Sequence, residues 1–533
     1  MKKWMACSMS VLIAGVFSSA VLAQHAPEQE QLGNVRFPVS CSAEAQQKFH
    51  RAMALYHSFA WTRVWPAFTE ITQVDAQCGM AWWGLAMVAA DNPFGWPQSV
   101  RLKEGEEAIQ KAQAVGASTP RERDYIAALA LLYKDHATVP HRQRSLAYEQ
   151  AMAQLAARYP DDVEAQILHA LIVSGNHDLN DKTYARPLRA ASLLEPLFAS
   201  HPHHPGVAHY LIHSYDYPPI AHKGLEAAKR YAQTAADAGH AQHMPSHIFT
   251  RVGSWRESVA SNQKSIEVAK GDHRYMPHAW DYMIYAYLQL ADDTNAEKVA
   301  AEARALRTLN YTYSAGVYGL AALQARLALE RGRWAEAAQL ELPAAPAPDD
   351  WKRFPQAESV HVFARALGAA RSGDATGARR EIERLRTLHA ALNEKKLAYW
   401  AEQTDIQVAI ATAWALRAEG KDAEALATLR AAAEREEGTE KHVSMPGYLL
   451  PARELLGDLL LELGRPTEVL REYEASIAKE PKRFRGLYGA ARAAERTGER
   501  DKAKTYYTKL TTLAEHSKHE RAELQTARAF LGK

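Results

Sequence analysis

Apolar residues recur three and four apart along nearly the whole chain, in alanine-rich segments, while the alternating Val/Ile/Thr pattern of half-buried strands is nearly absent. That periodicity predicts an almost wholly helical fold. A longer period lies on top of it. Gly464, Val469, Tyr473 and Pro481 mark a turn, two packing positions and a closing proline, and Gly498, Ala503 and Tyr507 repeat the first three 34 residues later. The same grammar occurs at Gly253 with Ser258, Gly332 with Ala337, Gly373 with Ala378, and Gly420 with Ala425 and Leu429. Glycine lets the chain reverse, the residue five positions on sits where two helices approach, and the aromatic fills the gap between hairpins.

This spacing and these markers resemble the tetratricopeptide (TPR) family, whose repeat is about 34 residues long. The resemblance implies an all-α, right-handed solenoid of antiparallel helix hairpins. Its default role is to bind a peptide, a protein or a small ligand in the concave groove. Along the chain the expected organisation is a leader at 1–23, an extended lead-in at 24–40, and an N-terminal helical block at 41–340. A Pro/Ala linker follows at 341–350, carrying Pro343 and Pro348, and then a more regular TPR block at 351–533. The last block, with Tyr473, Tyr506 and Tyr507 but few histidines, is the expected partner-binding part.

The leader reading rests on Lys2 and Lys3, an apolar stretch from Val11 to Phe17, and Val21-Leu22-Ala23, the order of a secretory signal peptide, with Gln24 as the expected mature start. The apolar core is shorter than the roughly 20 residues a spanning helix needs, so no stable membrane anchor is expected after cleavage. The expected location is the periplasm or outside the cell. Cleavage leaves Cys41 and Cys78, an even pair in an oxidising compartment; a bridge between them is expected, with two inert buried thiols as the alternative. Lys+Arg number 64 against Asp+Glu 62, and losing Lys2 and Lys3 makes it 62 against 62, so no global excess attracts nucleic acid.

Histidine is where composition changes the picture. Of 23 histidines, 11 fall between His201 and His278. His209 and His213 form one pair four apart, His243 and His247 another, and the second pair is the first plus 34. Four residues apart on a helix puts both imidazoles on one face, and equivalent positions of successive repeats bring the pairs to neighbouring helices. Counting back from Gly253 places His243 and His247 at positions that face the groove in the TPR family. The pattern therefore offers a transition-metal site for Zn, Cu or Fe. Further donors or hydrogen-bond acceptors are His278, Asp281 (His247 plus 34) and Asp216, while His240 is a weaker choice and His201, His203 and His204 read as loop residues. Two other readings stay open: a metal-free polar groove, or histidines that only pack. No His-Glu-x-x-His motif, nucleophile elbow or phosphate loop accompanies the cluster, so an enzyme's acid/base partner is not visible. A metal-dependent hydrolase or oxidoreductase built on the four paired histidines is the alternative to a binding scaffold.

The segments Phe37-Pro-Val-Ser-Cys41, Ala81-Trp-Trp-Gly-Leu-Ala86, His204-Pro-Gly-Val-Ala-His-Tyr-Leu-Ile-His213 and His243-Met-Pro-Ser-His-Ile-Phe249 resemble a secreted bacterial group of TPR-containing proteins. The likeness covers about residues 35 to 310. It implies an acid after the His-Tyr-x-x-His helix, here Asp216, and a histidine near 281, where this chain has aspartate. It implies a fold and a conspicuous histidine segment, and no reaction.

Overall fold

The structure is a computed structural model that describes residue 1 and residues 30–532, apart from 98, 273, 310–312, 346–347 and 519–520. The expected leader, 1–23, lies outside the described residues except for Met1. The chain divides into two compact units, Met1–Glu30 and Gln31–Lys533, and the helices among the described residues belong to the second. Among the described residues the regular structure is helical, with no strand.

Consecutive helices pack on one another in hairpins, as in Pro466–Lys479 against Phe484–Arg496, and Phe484–Arg496 against Arg500–Leu513. The six glycines at the repeat turns, 253, 332, 373, 420, 464 and 498, all have φ between 63° and 85°. At Gly464 the reversal closes with the Gly464 N–H on the Leu461 carbonyl and the Arg465 N–H on the Leu460 carbonyl. This left-handed cap is one that only glycine adopts without strain, which is why the sequence marks the turns so clearly. The aromatic marker also does what its spacing suggests. The Tyr473 ring is buried between two glycines: a Cβ on Gly457 would come within 2.7 Å of it and one on Gly489 within 2.1 Å. Tyr473 and Tyr507 are therefore core residues of the repeats, as their packing positions imply, and offer no docking surface for the partner expected at this block; Tyr506 is half-buried and donates to Glu474.

A Cys41–Cys78 disulfide ties the start of Ala43–His57 to the start of Gly79–Ala90. Residues 31–40 form no regular element but are packed down, with Phe37 fully buried against Phe49, Trp83 and Tyr125. The two sequence blocks meet extensively. The segment 438–451, between Asp422–Glu437 and Ala452–Glu462, reaches back to the first block. Lys182 Nζ lies 2.6 Å from Glu440 Oε1, and Arg326 donates to the carbonyls of Tyr448 (2.9 Å) and Gly447 (3.1 Å). Trp255 Nε1 donates to the Lys482 carbonyl (2.9 Å), Arg483 donates to the Tyr285 hydroxyl (2.7 Å), and Arg521 pairs with Asp293. The histidine block is thus in direct contact with the chain's own later repeats.

Candidate metal centre

His209 and His213 project from Pro205–Tyr215, a helix opened by proline at its first turn. His240 and His243 lie on Gly239–His243 and His247 on Pro245–Arg251. Met244 between them keeps helical angles (φ −55°, ψ −35°), so the two pieces run on as one path across Pro245, and the i, i+4 pairing of His243 with His247 survives. His278 stands in the first turn of Met276–Gln289. These six side chains gather into two triads, His209–His213–His240 and His243–His247–His278; within each, one donor atom per residue lies within 4.8 Å of the others. None of the six residues is more than 7% exposed, so His243 and His247, expected to face the groove, lie in the interior. Phe59, Phe94, Tyr231 and Tyr282 wall the cluster, with Phe94 stacked on His213 at 3.8 Å and Tyr231 on His209 at 5.0 Å.

Hydrogen bonds fix the tautomers of three imidazoles. The Asn262 amide nitrogen donates to the Ser258 carbonyl (2.8 Å), which turns its oxygen toward His243, so His243 Nδ1–H donates to it at 2.6 Å. His209 Nδ1–H donates to the His57 carbonyl at 2.6 Å. His247 Nδ1–H donates at 2.9 Å to Asp216, and Tyr282 beside it sends its own hydroxyl hydrogen to the Met445 carbonyl (3.1 Å). Asp216 is held well below the usual carboxylate range: burial pushes it up, and the Lys441 and Arg251 cations with the His247 hydrogen bond outweigh that. With Nδ1 protonated, Nε2 carries the lone pair. The Nε2 atoms of His243 and His247 face each other at 3.0 Å, and His209 Nε2 faces His240 Nε2 at 3.2 Å. Burial and neighbouring imidazoles push the His209 and His243 rings down to about 3, and burial drives His213, His240 and His278 well below the ordinary value. Both ring nitrogens of His213 and the Nδ1 atoms of His240 and His278 have no hydrogen-bond partner.

Asp281 has a different task from the expected one. It is fully buried in an ion pair with Arg326 (Nε to Oδ1 2.9 Å, Nη2 to Oδ2 3.3 Å) and belongs to neither triad. The reason is the repeat length. Gly253 and Ala291 are the corresponding left-handed residues after their helices (φ 69° and 55°), and they are 38 apart, not 34. On that register Asp281 matches His243, and His278 matches His240, each 13 residues before its turn residue. Each triad is therefore an i, i+4 pair from one repeat plus the histidine 13 before the turn of the next. One 34-residue step ahead of His240 the position is Gly206, where a Cβ would lie 2.5 Å from His57 Nδ1. Sequence reasoning undervalued His240 and missed Asn262, Tyr282 and Lys441; aligning on turn residues instead of a fixed period would have found the first.

A third group was also missed. His57 Nε2 and His204 Nε2 both lie 2.9 Å from Glu164, and Tyr210 bonds His57 Nδ1 at 3.0 Å. Burial pushes the Glu164 carboxyl up, and the two imidazoles outweigh it and keep it ionised. His204 stands outside the helix at its N-cap position, as expected of a loop residue, but is buried, whereas His201 and His203 are exposed. Both His57 nitrogens and both Glu164 oxygens are hydrogen-bonded within this group while His204 Nδ1 has no partner, and through the His57 carbonyl the group orients His209.

No family model matches the chain, and no curated protein matches it. The fold is an all-α run of packed helix hairpins. Among solved structures the chain is similar to a human IFIT1 dimer with m7Gppp-AAAA (10% identity, TM-score 0.37, 78% of this chain and 87% of that one). It is also similar to yeast Tom70 (11%, 0.33, 92% and 96%) and to the P58(IPK) TPR domain (12%, 0.21, 92% and 99%).

Proposed function

We propose that this chain is a metal-binding helical-repeat protein whose interior holds transition-metal ions in two three-histidine sites. The observation that carries this is the opposed pair of Nε2 atoms at 3.0 Å, each with its Nδ1 committed as a donor. Two lone pairs at that distance repel unless a cation sits between them, and burial disfavours a proton in that role near neutral pH. Ligands about 2.0–2.1 Å from a tetrahedral ion stand about 3.3–3.4 Å apart, close to the observed 3.0 and 3.2 Å. The Asn262, Asp216 and His57 acceptors supply the outer hydrogen bonds that metal-binding histidines use.

A secreted or periplasmic location belongs to the same reading, supported by the leader-like 1–23 and the Cys41–Cys78 bridge. A protein or peptide partner also belongs to this reading, in keeping with a scaffold of helical hairpins. Three protein donors per ion leave a coordination position free, which favours a metal-dependent hydrolase or oxidoreductase as the second reading.

The test is elemental analysis of untagged protein after incubation with Zn, Cu or Fe. Stoichiometric metal is expected, and less than about 0.1 ion per chain overturns the proposal. Asn262→Leu is expected to weaken metal binding by about 10–100-fold while leaving the fold helical.

A further inference from the structure

The two triads are successive copies of one three-histidine arrangement, and they touch. The His240 and His243 ring centroids are 6.0 Å apart and those of His213 and His247 are 6.1 Å apart, a spacing at which rings meet edge to edge. The donor set is six imidazoles. Among the described residues neither triad includes a carboxylate or a thiolate. Asp216, the carboxylate at hand, is committed to His247, Arg251 and Lys441.

An ion in each triad therefore brings charge that its own ligands do not cancel. Two divalent ions would add four positive charges to an enclosed space already bordered by Arg251 and Lys441; two monovalent ions add half as many. Burying uncompensated charge is costly, so the site favours the lower charge or demands an anion to offset the higher one. Of the metals that imidazole suits, copper has an accessible monovalent state content with three donors, and in its divalent state it binds such ligands most tightly.

We infer that the two triads bind a pair of copper ions as one dinuclear centre, three imidazoles to each ion, with a small anion bridging the pair when both are copper(II). This rests on the metal-binding reading above. Each ion has an open position, and contact between the triads lets both positions share one ligand.

Copper(I) added anaerobically to untagged full-length protein, against a chromophoric copper(I) chelator, is expected to bind at two ions per chain. Copper(II) with azide is expected to give an EPR signal at one equivalent that is lost at two, through coupling across the azide bridge. His240→Gln and His278→Gln each remove a donor from one triad and are expected to bind one copper(II) whose signal persists in azide. One copper per chain in the wild-type protein, or two with undiminished signal in azide, overturns the dinuclear centre and leaves metal binding standing. Binding of neither copper nor any other transition metal overturns the earlier reading as well. The wild-type titrations decide the matter even if a variant fails to fold.

Discussion

At the residue scale, six imidazoles are buried in neutral form, and this makes the metal-free protein acid-sensitive. An unfolded histidine takes up a proton below about pH 6.5, whereas His209 and His243 in the fold resist until about 3. Between those values the unfolded chain binds more protons, so the stability is fully present above the unfolded value and drains away as pH falls toward the folded one. Metal ligands must also be unprotonated, so acid releases bound metal in the same direction. The urea midpoint of metal-free protein is expected to fall steadily from about pH 7 to about pH 5; a midpoint unchanged over that range contradicts neutral burial.

At the scale of helices, the hairpins depend on a few close approaches that only glycine permits. Gly489→Ala drives a Cβ into the Tyr473 ring, which is already held on its other side by Gly457. Overpacking of this kind costs about 1–3 kcal/mol, and chemical denaturation should show a loss of that size, with the far-UV spectrum of the folded state retained. The turns and the packing aromatic were legible in the sequence because turn glycine, packing residue and aromatic recur locally at a fixed offset, whereas the helix glycines Gly457 and Gly489 carried no such mark. The histidine pairs were legible for the same reason, since His209 to His243 and His213 to His247 keep the 34-residue step. Of the third members, His278 was legible as a further donor, while His240 was ranked as a weaker choice. Between Gly253 and Ala291 the repeat lengthens to 38, with alanine in place of the turn glycine, so a fixed period set Asp281 against His247 and hid the match of His278 with His240. Glu164, Asn262 and Lys441 had no local signal at all; their roles come from helices and loops far apart in the chain.

At the scale of the whole molecule, the later repeats complete the earlier ones. Residues beyond the Pro/Ala linker supply Lys441 to Asp216, the Met445 carbonyl to Tyr282, and the Gly447 and Tyr448 carbonyls to Arg326. Arg326 and its partner Asp281 are both fully buried, and a buried cation stripped of acceptors is strongly destabilising. A chain ending at Pro343 is therefore expected to be protease-sensitive and to bind less metal than the full-length protein. Equal protease resistance and metal content in the shortened chain would show that the second block is dispensable to the first.

The near-complete burial of the six imidazoles, walled by aromatic rings and backed by the 438–451 segment, also governs timing. On the metal-binding reading, an ion seated there would exchange only when the surrounding structure opens, not at the speed of diffusion. Residence time is then set by how often the protein opens and not by bond strength alone. A chelator of any affinity strips the metal no faster than that opening, and an ion captured while the chain folds stays in place against competitors that arrive afterwards.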